Sequence, residues 1–282
     1  HGGAGEVEPA RHSRLREGVR AAAAVGEAIL AAGGHALDAV VAAVRVLEDD
    51  PEFNAGRGSA LTRDGTVETD AAIMCGATQR VGAVAAVPDL GNPIALARAV
   101  LDANEHAILA GPAAWRFAAE VGITPAPPGS LVTERARARL AAKLAGKSGG
   151  TVGAVARDGE GRFAAATSTG GVAGKRPGRV GDSPIPGAGT WADANVALSA
   201  TGDGEAILRV ALTRTIAARG GQLRGASISE LRSLARITGG SAGVIGVDRN
   251  GVIGVQLSPV MPIAWVERSQ PGDSMGYEIE AR

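Results

Sequence analysis

The chain has 282 residues, of which 29 are basic and 29 acidic, so its formal net charge at pH 7 is zero. That balance excludes the diffuse positive field that attracts nucleic acids or anionic membrane surfaces. No run of about twenty apolar residues is present to span a bilayer. We therefore expect a small-molecule substrate. Only 2% of the residues are aromatic whereas 42 are glycine, which predicts a globular core of small aliphatic side chains joined by tight turns.

The first 150 residues predict a mostly helical region. The predicted helices cover residues 13–32, 35–48, 92–109, 112–121 and 133–145. Asn92-Pro93 supplies a cap and a first-position proline for the third of them. An Asp-Gly pair within 61–67 predicts a hairpin, and the apolar run 81–87 predicts a buried strand. The glycine-rich segment 146–150 predicts a flexible, exposed break.

From residue 151 onward the pattern favours strands. The predicted strands cover residues 152–156, 163–167, 243–247 and 252–255, and the predicted helices cover residues 204–219 and 228–237. Ser227 and Glu230 have the spacing of a capping box for the last helix. This order of elements predicts an α+β fold, in which two sheets pack face to face with helices outside.

The sequence lacks the common signatures of metal, serine-triad and nucleotide chemistry. The four histidines, His1, His12, His35 and His106, show no metal-ligand spacing, and neither a GxSxG elbow nor a Walker loop is present. The single cysteine, Cys75, can form no internal disulfide and no thiolate zinc site, which indicates a reducing compartment. We therefore predict chemistry that requires no cofactor and a cytoplasmic protein. Because the sequence opens at His1 without Met, secretion stays open as an alternative.

The junction Gly150-Thr151 is the strongest candidate for a nucleophile. A glycine-rich break ends there at a threonine that begins an apolar strand. If the peptide bond between the two residues were cut, Thr151 would gain an α-amine with a pKa of about 7.7–8.0. One residue would then supply both the nucleophilic hydroxyl and the general base. The alternative is an ordinary loop that enters a strand.

Two downstream loops offer groups that suit an amino-acid substrate. Arg179 and Asp182 are three residues apart, and a guanidinium binds a carboxylate while a carboxylate binds an ammonium. The alternative is that these two side chains only pair with each other. The segment 201–205, Thr-Gly-Asp-Gly-Glu, precedes a predicted helix, where backbone N–H groups and a hydroxyl are suited to stabilise an oxyanion. Its alternative is a plain helix N-terminus.

Taken together, the motifs resemble those of one enzyme family. They are HGGAG at 1–5, FNAG at 53–56, GTVGAVARD at 150–158, TSTGG at 167–171, GRVGDSP at 178–184 and TGDGE at 201–205. In this order they resemble the plant-type asparaginases and isoaspartyl peptidases, with the glycosylasparaginases as close relatives. The resemblance runs from His1 to about Val255.

This resemblance implies a fold and an activity. The fold would be the four-layer αββα sandwich of the N-terminal-nucleophile (Ntn) hydrolases, with an α portion, 1–150, and a β portion, 151–282, produced by self-cleavage at Gly150-Thr151. Thr151 would hydrolyse L-asparagine, β-aspartyl (isoaspartyl) peptides or both to aspartate through an acyl-enzyme. The enzyme would be a homodimer of processed αβ units.

The family resemblance also assigns roles to individual residues. Thr169 would tune the nucleophile, Thr201 and Gly202 would be the oxyanion donors, and Asn54 resembles the active-site asparagine. The substrate would be bound by Arg179, Asp182, Thr201, Gly202 and Gly204. A structural sodium ion is implied on a loop of backbone carbonyls, at Leu47, Glu48, Asp50, Phe53, Ala55 and Arg57. An acidic turn without a metal is the alternative for that loop.

The chain departs from the family pattern at two places. Cys75 stands where relatives usually carry Asp, and residues 257–263 replace a polar, flexible segment with prolines and a valine. The second departure predicts a reshaped leaving-group pocket. Two other functions stay open: a glycosylasparaginase-like or protein-directed threonine hydrolase, and an amino-acid-binding homologue that does not mature.

Overall fold

Two β-sheets lie face to face between layers of helices in the computed structural model, which describes residues 1–143 and 150–276. Within these residues the helices are α1 (His12–Ala31), α2 (Ala36–Asp49), α3 (Pro93–Ala103), α4 (Ala114–Glu120), α5 (Glu134–Lys143), α6 (Gly204–Val210), α7 (Leu212–Arg219) and α8 (Leu223–Thr238). The strands are β1 (Glu68–Cys75), β2 (Val81–Pro88), β3 (Ile108–Ala110), β4 (Val152–Arg157), β5 (Phe163–Thr169), β6 (Thr190–Ala192), β7 (Val196–Gly202), β8 (Ala242–Asp248), β9 (Gly251–Gln256), β10 (Ile263–Glu267) and β11 (Gln270–Ser274).

Strands from both sides of residue 150 share the first sheet. Its order is β3-β2-β1-β5-β4, and the second sheet has the order β6-β7-β8-β9. The antiparallel pairing of β1 with β5 places Asp70 opposite Thr169, so the end of β5 lies beside β1. Because of this register, strands that precede and follow the Gly150-Thr151 junction lie side by side in one sheet.

Helices cover the outer face of each sheet and complete four layers. Helices α2 and α3 pack on β1, β4 and β5, and helices α7 and α8 pack on β7, β8 and β9. The core between the layers is built from Ala, Val, Leu and Ile, including the fully buried Ile73, Val84 and Leu198. Each such Val, Leu or Ile contributes about 1.5–3 kcal/mol relative to an exposed position. The predicted αββα arrangement is confirmed.

Three predicted helices differ from the observed ones. The helix predicted over 92–109 is α3, which ends at Ala103 because Asn104 adopts a left-handed conformation with φ of 55°, and residues 108–110 form strand β3 instead. The Asn92 side chain does not cap α3 but donates to the Glu48 and Asp49 carboxylates.

The segment predicted as one helix over 204–219 forms α6 and α7, because Ala211 adopts a left-handed conformation with φ of 47°. Helix α8 begins at Leu223 rather than at 228, so Ser227 lies buried inside it and the predicted capping box is wrong. The turn at Gly220-Gly221 starts the helix early, and Gln222 takes the cap position. Of the predicted break, residues 146–149 lie outside the described residues.

Candidate active site

The Gly150-Thr151 junction lies at the entrance of strand β4. Val152 pairs with Ser168 of β5, and Gly153 donates its backbone N–H to the carbonyl oxygen of His1 at 3.1 Å. Thr151 is buried, with 5% of its surface exposed. The residue that the sequence analysis selected as nucleophile is therefore held at a fixed strand end between β5 and the first residues of the chain.

Two side chains donate hydrogen bonds to the carbonyl oxygen of Gly150. The Thr169 hydroxyl donates to it at 2.9 Å, and the Asn54 amide Nδ2 donates to the same oxygen. The Thr151 hydroxyl in turn lies 3.3 Å from the Thr169 hydroxyl oxygen. The carbonyl of the bond that would be cut is thus polarised by two donors, with the candidate nucleophile beside it.

Backbone contacts fix both donors. The backbone N–H of Gly171 donates to the Thr169 hydroxyl oxygen at 2.9 Å. Asn54 accepts from the N–H of Ala60 at 2.6 Å through Oδ1 and donates to the carbonyl oxygen of Gly171 at 2.7 Å through Nδ2. Because Oδ1 can only accept and Nδ2 can only donate, these partners set the direction of the Asn54 amide.

The segment 1–5 connects the junction with the end of strand β7. Gly3 has φ of +107°, and a Cβ there would lie 3.2 Å from the backbone nitrogen of Thr151. The next residue, Ala4, donates its N–H to the Thr201 hydroxyl oxygen at 3.0 Å. The segment therefore lies against Thr151 at Gly3 and against Thr201 at the next residue, Ala4. Within the described residues, neither Thr201 nor Gly202 is hydrogen-bonded to Gly150 or Thr151 in the uncut chain.

Arg179 and Asp182 do not pair with each other. The guanidinium of Arg179 forms a bidentate ion pair with Glu205, with N···O distances of 2.9 Å and 2.8 Å. Asp182 is buried, and its Oδ2 has no hydrogen-bond partner within the residues that the structure describes. A Cβ on Gly204 would lie 2.7 Å from Asp182 Oδ1 and 3.0 Å from Arg179 Nη2. The two groups predicted to bind substrate thus flank one glycine at the start of α6.

Burial is the main influence on the pKa of Asp182. It raises the pKa of Asp182 from 3.8 to about 7, while the nearby Arg179 charge acts in the opposite direction. A buried carboxylate without a partner is costly, so this group would gain from an ammonium ion placed against it. Arg179 also lies close to Gly171, which follows Thr169 by two residues, because a Cβ on Gly171 would lie 3.2 Å from Arg179 Nη1.

Two charged residues near Arg179 and Asp182, Asp70 and Lys175, were not predicted from the sequence. Asp70 is buried on β1, accepts from the backbone N–H groups of Ala86 at 2.7 Å and Gly181 at 3.3 Å, and has its pKa raised by burial. Lys175 is also buried, donates to the carbonyl oxygen of Glu68 at 2.8 Å, and has its pKa lowered by burial. A carboxylate that directly precedes the apolar run Ala71 to Cys75 of β1 was the signal that could have identified Asp70.

The loop predicted to hold sodium folds around two close glycines after α2. A Cβ on Gly56 would lie 2.6 Å from the carbonyl oxygen of Glu48, and one on Gly58 would collide with the carbonyl oxygen of Phe53. The carbonyl oxygens of Glu48 and Phe53 therefore lie against two glycines of the same turn, where there is no room for side chains. Carbonyl oxygens are the ligands that hard cations prefer, so the donor chemistry fits the ion. Among the described residues there is no cluster of three His, Cys, Asp or Glu that could hold a metal.

Side chains in the same loop have structural contacts. The Glu48 carboxyl accepts from the backbone N–H of Ile94 at 3.0 Å, at the start of α3, and burial raises its pKa to about 8. The carbonyl oxygens of Asp50 and Ala55 accept backbone hydrogen bonds within the loop, at 3.1 Å and 3.0 Å. Each carbonyl keeps a second lone pair for another partner.

The two departures from the family pattern lie at different distances from the junction. Cys75 is buried at the end of β1 opposite to Asp70, about 17 Å along the strand at about 3.4 Å per residue. Its side chain packs in the core beneath the helices, away from the nucleophile. Val260, by contrast, forms a β-bridge with Gly5, and Met261 is fully buried. The C-terminal departure therefore supports the segment 1–5, which contacts Thr151.

The sequence matches the family described as asparaginase over residues 1–149 and again over residues 141–274. A bovine isoaspartyl peptidase/L-asparaginase is 44% identical over 96% of this chain and 89% of its own length. The rat isoaspartyl peptidase/L-asparaginase is 50% identical over 76% of this chain and 67% of its own length. The isoaspartyl peptidase of Salmonella typhimurium is 42% identical over 94% of this chain and 93% of its own length.

The four-layer sandwich, with a threonine immediately before the edge strand β4, together with the family match defines an Ntn hydrolase. With matches that cover both portions, the chain belongs to the asparaginase family, whose members are amidohydrolases. No helix among the described residues has both the length and the apolar character needed to cross a membrane.

Proposed function

We propose that this chain cuts itself between Gly150 and Thr151 and then hydrolyses L-asparagine and β-aspartyl peptides to aspartate. The observation that carries the proposal is the pair of donors on the Gly150 carbonyl oxygen, Thr169 and Asn54, beside the Thr151 hydroxyl. The names of the bovine, rat and Salmonella relatives support the two substrate types.

Self-cleavage would begin with attack of Thr151 Oγ1 on the carbonyl carbon of Gly150. The negative charge that develops on the carbonyl oxygen is stabilised by the two hydrogen bonds already present there. The C–N bond then breaks, the amine of Thr151 takes a proton, and an ester joins Gly150 to the threonine side chain. Water hydrolyses this ester and leaves a free carboxylate on Gly150 and a free α-amine on Thr151.

Turnover would reuse the same hydroxyl. The α-amine of Thr151, with a pKa near 7.7–8.0, accepts the hydroxyl proton and passes it to the departing ammonia or amino acid. A β-aspartyl ester on Thr151 results, and water releases aspartate. Arg179 would bind the substrate α-carboxylate and Asp182 its α-ammonium, with Gly204 between them. Thr201 and the Gly202 N–H would stabilise the oxyanion of this second reaction.

The proposal is tested by incubating purified protein and following both events. A denaturing gel and mass spectrometry should show fragments 1–150 and 151–282, and the matured protein should release aspartate from L-asparagine and from a β-aspartyl dipeptide. A glycosylated asparagine serves as the third substrate. Preference for that substrate would favour the glycosylasparaginase-like alternative, and a persistently uncut, inactive chain would contradict the proposal in favour of a binding protein.

The loop after α2 would hold a sodium ion through backbone carbonyls of Leu47, Glu48, Asp50, Phe53, Ala55 and Arg57. Support comes from the carbonyl oxygens that lie against Gly56 and Gly58 and from the end of α2, where helix carbonyls lack helical partners. Replacing sodium with a bulky organic cation should lower the unfolding temperature. An unchanged temperature would favour the loop without metal.

The proposal also covers the oligomeric state of the enzyme and the cellular compartment in which it works. The family resemblance supports a homodimer of processed units, and the mass of the matured protein in solution tests it. The one cysteine, Cys75, is buried and unpaired, which suits the reducing cytoplasm. Cell fractionation with an antibody against the chain tests that location.

A further inference from the structure

The guanidinium of Arg179 has two hydrogen-bonding edges, and only one is occupied. Its Nε and Nη2 atoms donate to the two carboxylate oxygens of Glu205. The second edge, formed by Nη1 and Nη2, makes no hydrogen bond from Nη1 within residues 1–143 and 150–276. The Glu205 side chain is 62% exposed and that of Arg179 only 15%. Glu205 therefore approaches from solvent and leaves the buried edge free.

Three glycines border the free edge, and the Lys175 side chain lies beside one of them, Gly171. A Cβ on Gly181 would lie 2.7 Å from Nη1, and one on Gly171 would lie 3.2 Å from the same atom. A Cβ on Gly204 would lie 3.0 Å from Nη2. Because these three positions carry no side chain, the peptide backbone can approach the guanidinium closely.

The Asp182 side chain lies near the Arg179 guanidinium but forms no ion pair with it. Its Oδ2 lacks a partner although a guanidinium three residues earlier in the chain could neutralise it. The ionisable groups that face Asp182 are Arg179, Asp70 and Glu205, and Lys175 faces Asp70 and Arg179. Opposite charges this close attract strongly in a buried environment. Something must therefore hold Arg179 away from Asp182, and Glu205 is the group bonded to it.

We propose that Glu205 is a positioning residue that keeps the substrate clamp open. Its bidentate bond fixes Arg179 by one edge, turns the other edge towards the α-carboxylate of the substrate, and prevents Arg179 from neutralising Asp182. Its place in the first turn of α6 also suits a carboxylate, because the helix N-terminus is positive. This inference rests on the proposed function, since it names how the amino-acid end of the substrate is recognised.

Glu205→Ala tests the inference, with Glu230→Ala as the matched control because Glu230 pairs with Arg219 at the surface. L-Aspartate, the product, is the probe, and calorimetry measures its dissociation constant on matured protein. We expect Glu205→Ala to weaken aspartate binding at least tenfold and to raise KM for asparagine, with kcat changed less than threefold. Glu230→Ala should behave as the wild type does.

A second readout separates positioning from a general structural role. In Glu205→Ala the released Arg179 should pair with Asp182 and lower its pKa, so the pH at which aspartate binding is half lost should fall. Glu205→Gln, which has nearly the same volume and keeps one acceptor, should give an intermediate effect and serves if the alanine variant does not fold.

Unchanged aspartate binding in both Glu205 variants would overturn the inference. Tighter binding would overturn it too, because it would mean that Glu205 competes with the substrate carboxylate. Wild-type protein that binds aspartate but turns over neither substrate would contradict the proposed function alone. Wild-type protein that binds no aspartate would contradict the inference itself.

Discussion

The hydroxyl of Thr169 donates to the carbonyl oxygen of Gly150 at 2.9 Å. Thr169 is the last residue of β5, and Gly150 precedes β4, so the pairing of these two strands brings them together. The same hydroxyl oxygen receives the N–H of Gly171 and lies 3.3 Å from Thr151 Oγ1. One side chain thus connects the carbonyl of the predicted cleavage bond to its nucleophile.

Thr151→Ala should stop both self-cleavage and turnover, because no other residue can supply the attacking oxygen and the later α-amine. Thr151→Ser, which keeps the hydroxyl, should still produce the two fragments, at a reduced rate. A gel time course and N-terminal sequencing of the second fragment provide the measurement. Retention of either activity in the alanine variant would refute the assignment of the nucleophile.

Thr169→Val should slow self-cleavage by about 10²- to 10³-fold, since the loss of one oxyanion donor typically costs about 2.7–4 kcal/mol. Thr69→Val is the matched control: Thr69 is a buried threonine on the neighbouring strand whose hydroxyl donates to the carbonyl oxygen of Val87 at 3.3 Å. Rates come from the fraction of uncut chain over time. Equal slowing in both variants would point to a loss of stability in place of a lost donor.

Arg179→Ala should lower kcat/KM for asparagine by roughly 30- to 5,000-fold, because truncating one member of a buried charged pair costs about 2–5 kcal/mol. Arg179→Lys should recover little, since an ammonium cannot use two edges at once. Arg219→Ala, which removes a surface partner of Glu230, is the control and should retain wild-type kinetics. An unaltered kcat/KM in Arg179→Ala would assign the arginine to structure only.

Substrate binding should weaken as the pH falls below about 7. Burial raises the pKa of Asp182 to about 7, so at lower pH this carboxyl is neutral and no longer attracts an ammonium. KM measured from pH 6 to pH 8 should therefore fall with rising pH. A KM that stays constant over this range would contradict the assigned role of Asp182.

The same group should reduce stability at high pH. Because its folded pKa lies above the unfolded value of 3.8, the stability it contributes is fully present below pH 3.8 and is lost as the pH rises through about 7. Asp182→Asn carries no charge at any pH and should raise the unfolding temperature at pH 8, with a gain that shrinks towards pH 5. Thermal denaturation at both values tests this, and a variant less stable than the wild type at pH 8 would contradict it.

The sequence by itself determined the family, the α+β class and most of the elements near the junction. Helices α1 and α2 and the strands β4 and β5 were predicted within about two residues, because their apolar spacing is local and regular. Local signals were insufficient where a distant contact decides the outcome. Ala211 divides a continuous helical pattern in two, and at the start of α7 the N–H groups of Thr213 and Arg214 donate to the carbonyl oxygens of Ala188 and Gly187 in the loop before β6.

Only the tertiary structure decided which charged groups pair. Arg179 and Asp182 are three residues apart in the sequence, yet Arg179 bonds to Glu205, twenty-six residues further on. Likewise Asn54 contacts Gly150 from ninety-six residues away, and Asp70 of β1 accepts from the N–H of Gly181 in the loop between β5 and β6. Such partners are set by the register of β1 against β5 and by the packing of the two sheets. Those distances depend on the whole fold, and no local pattern of residues encodes them.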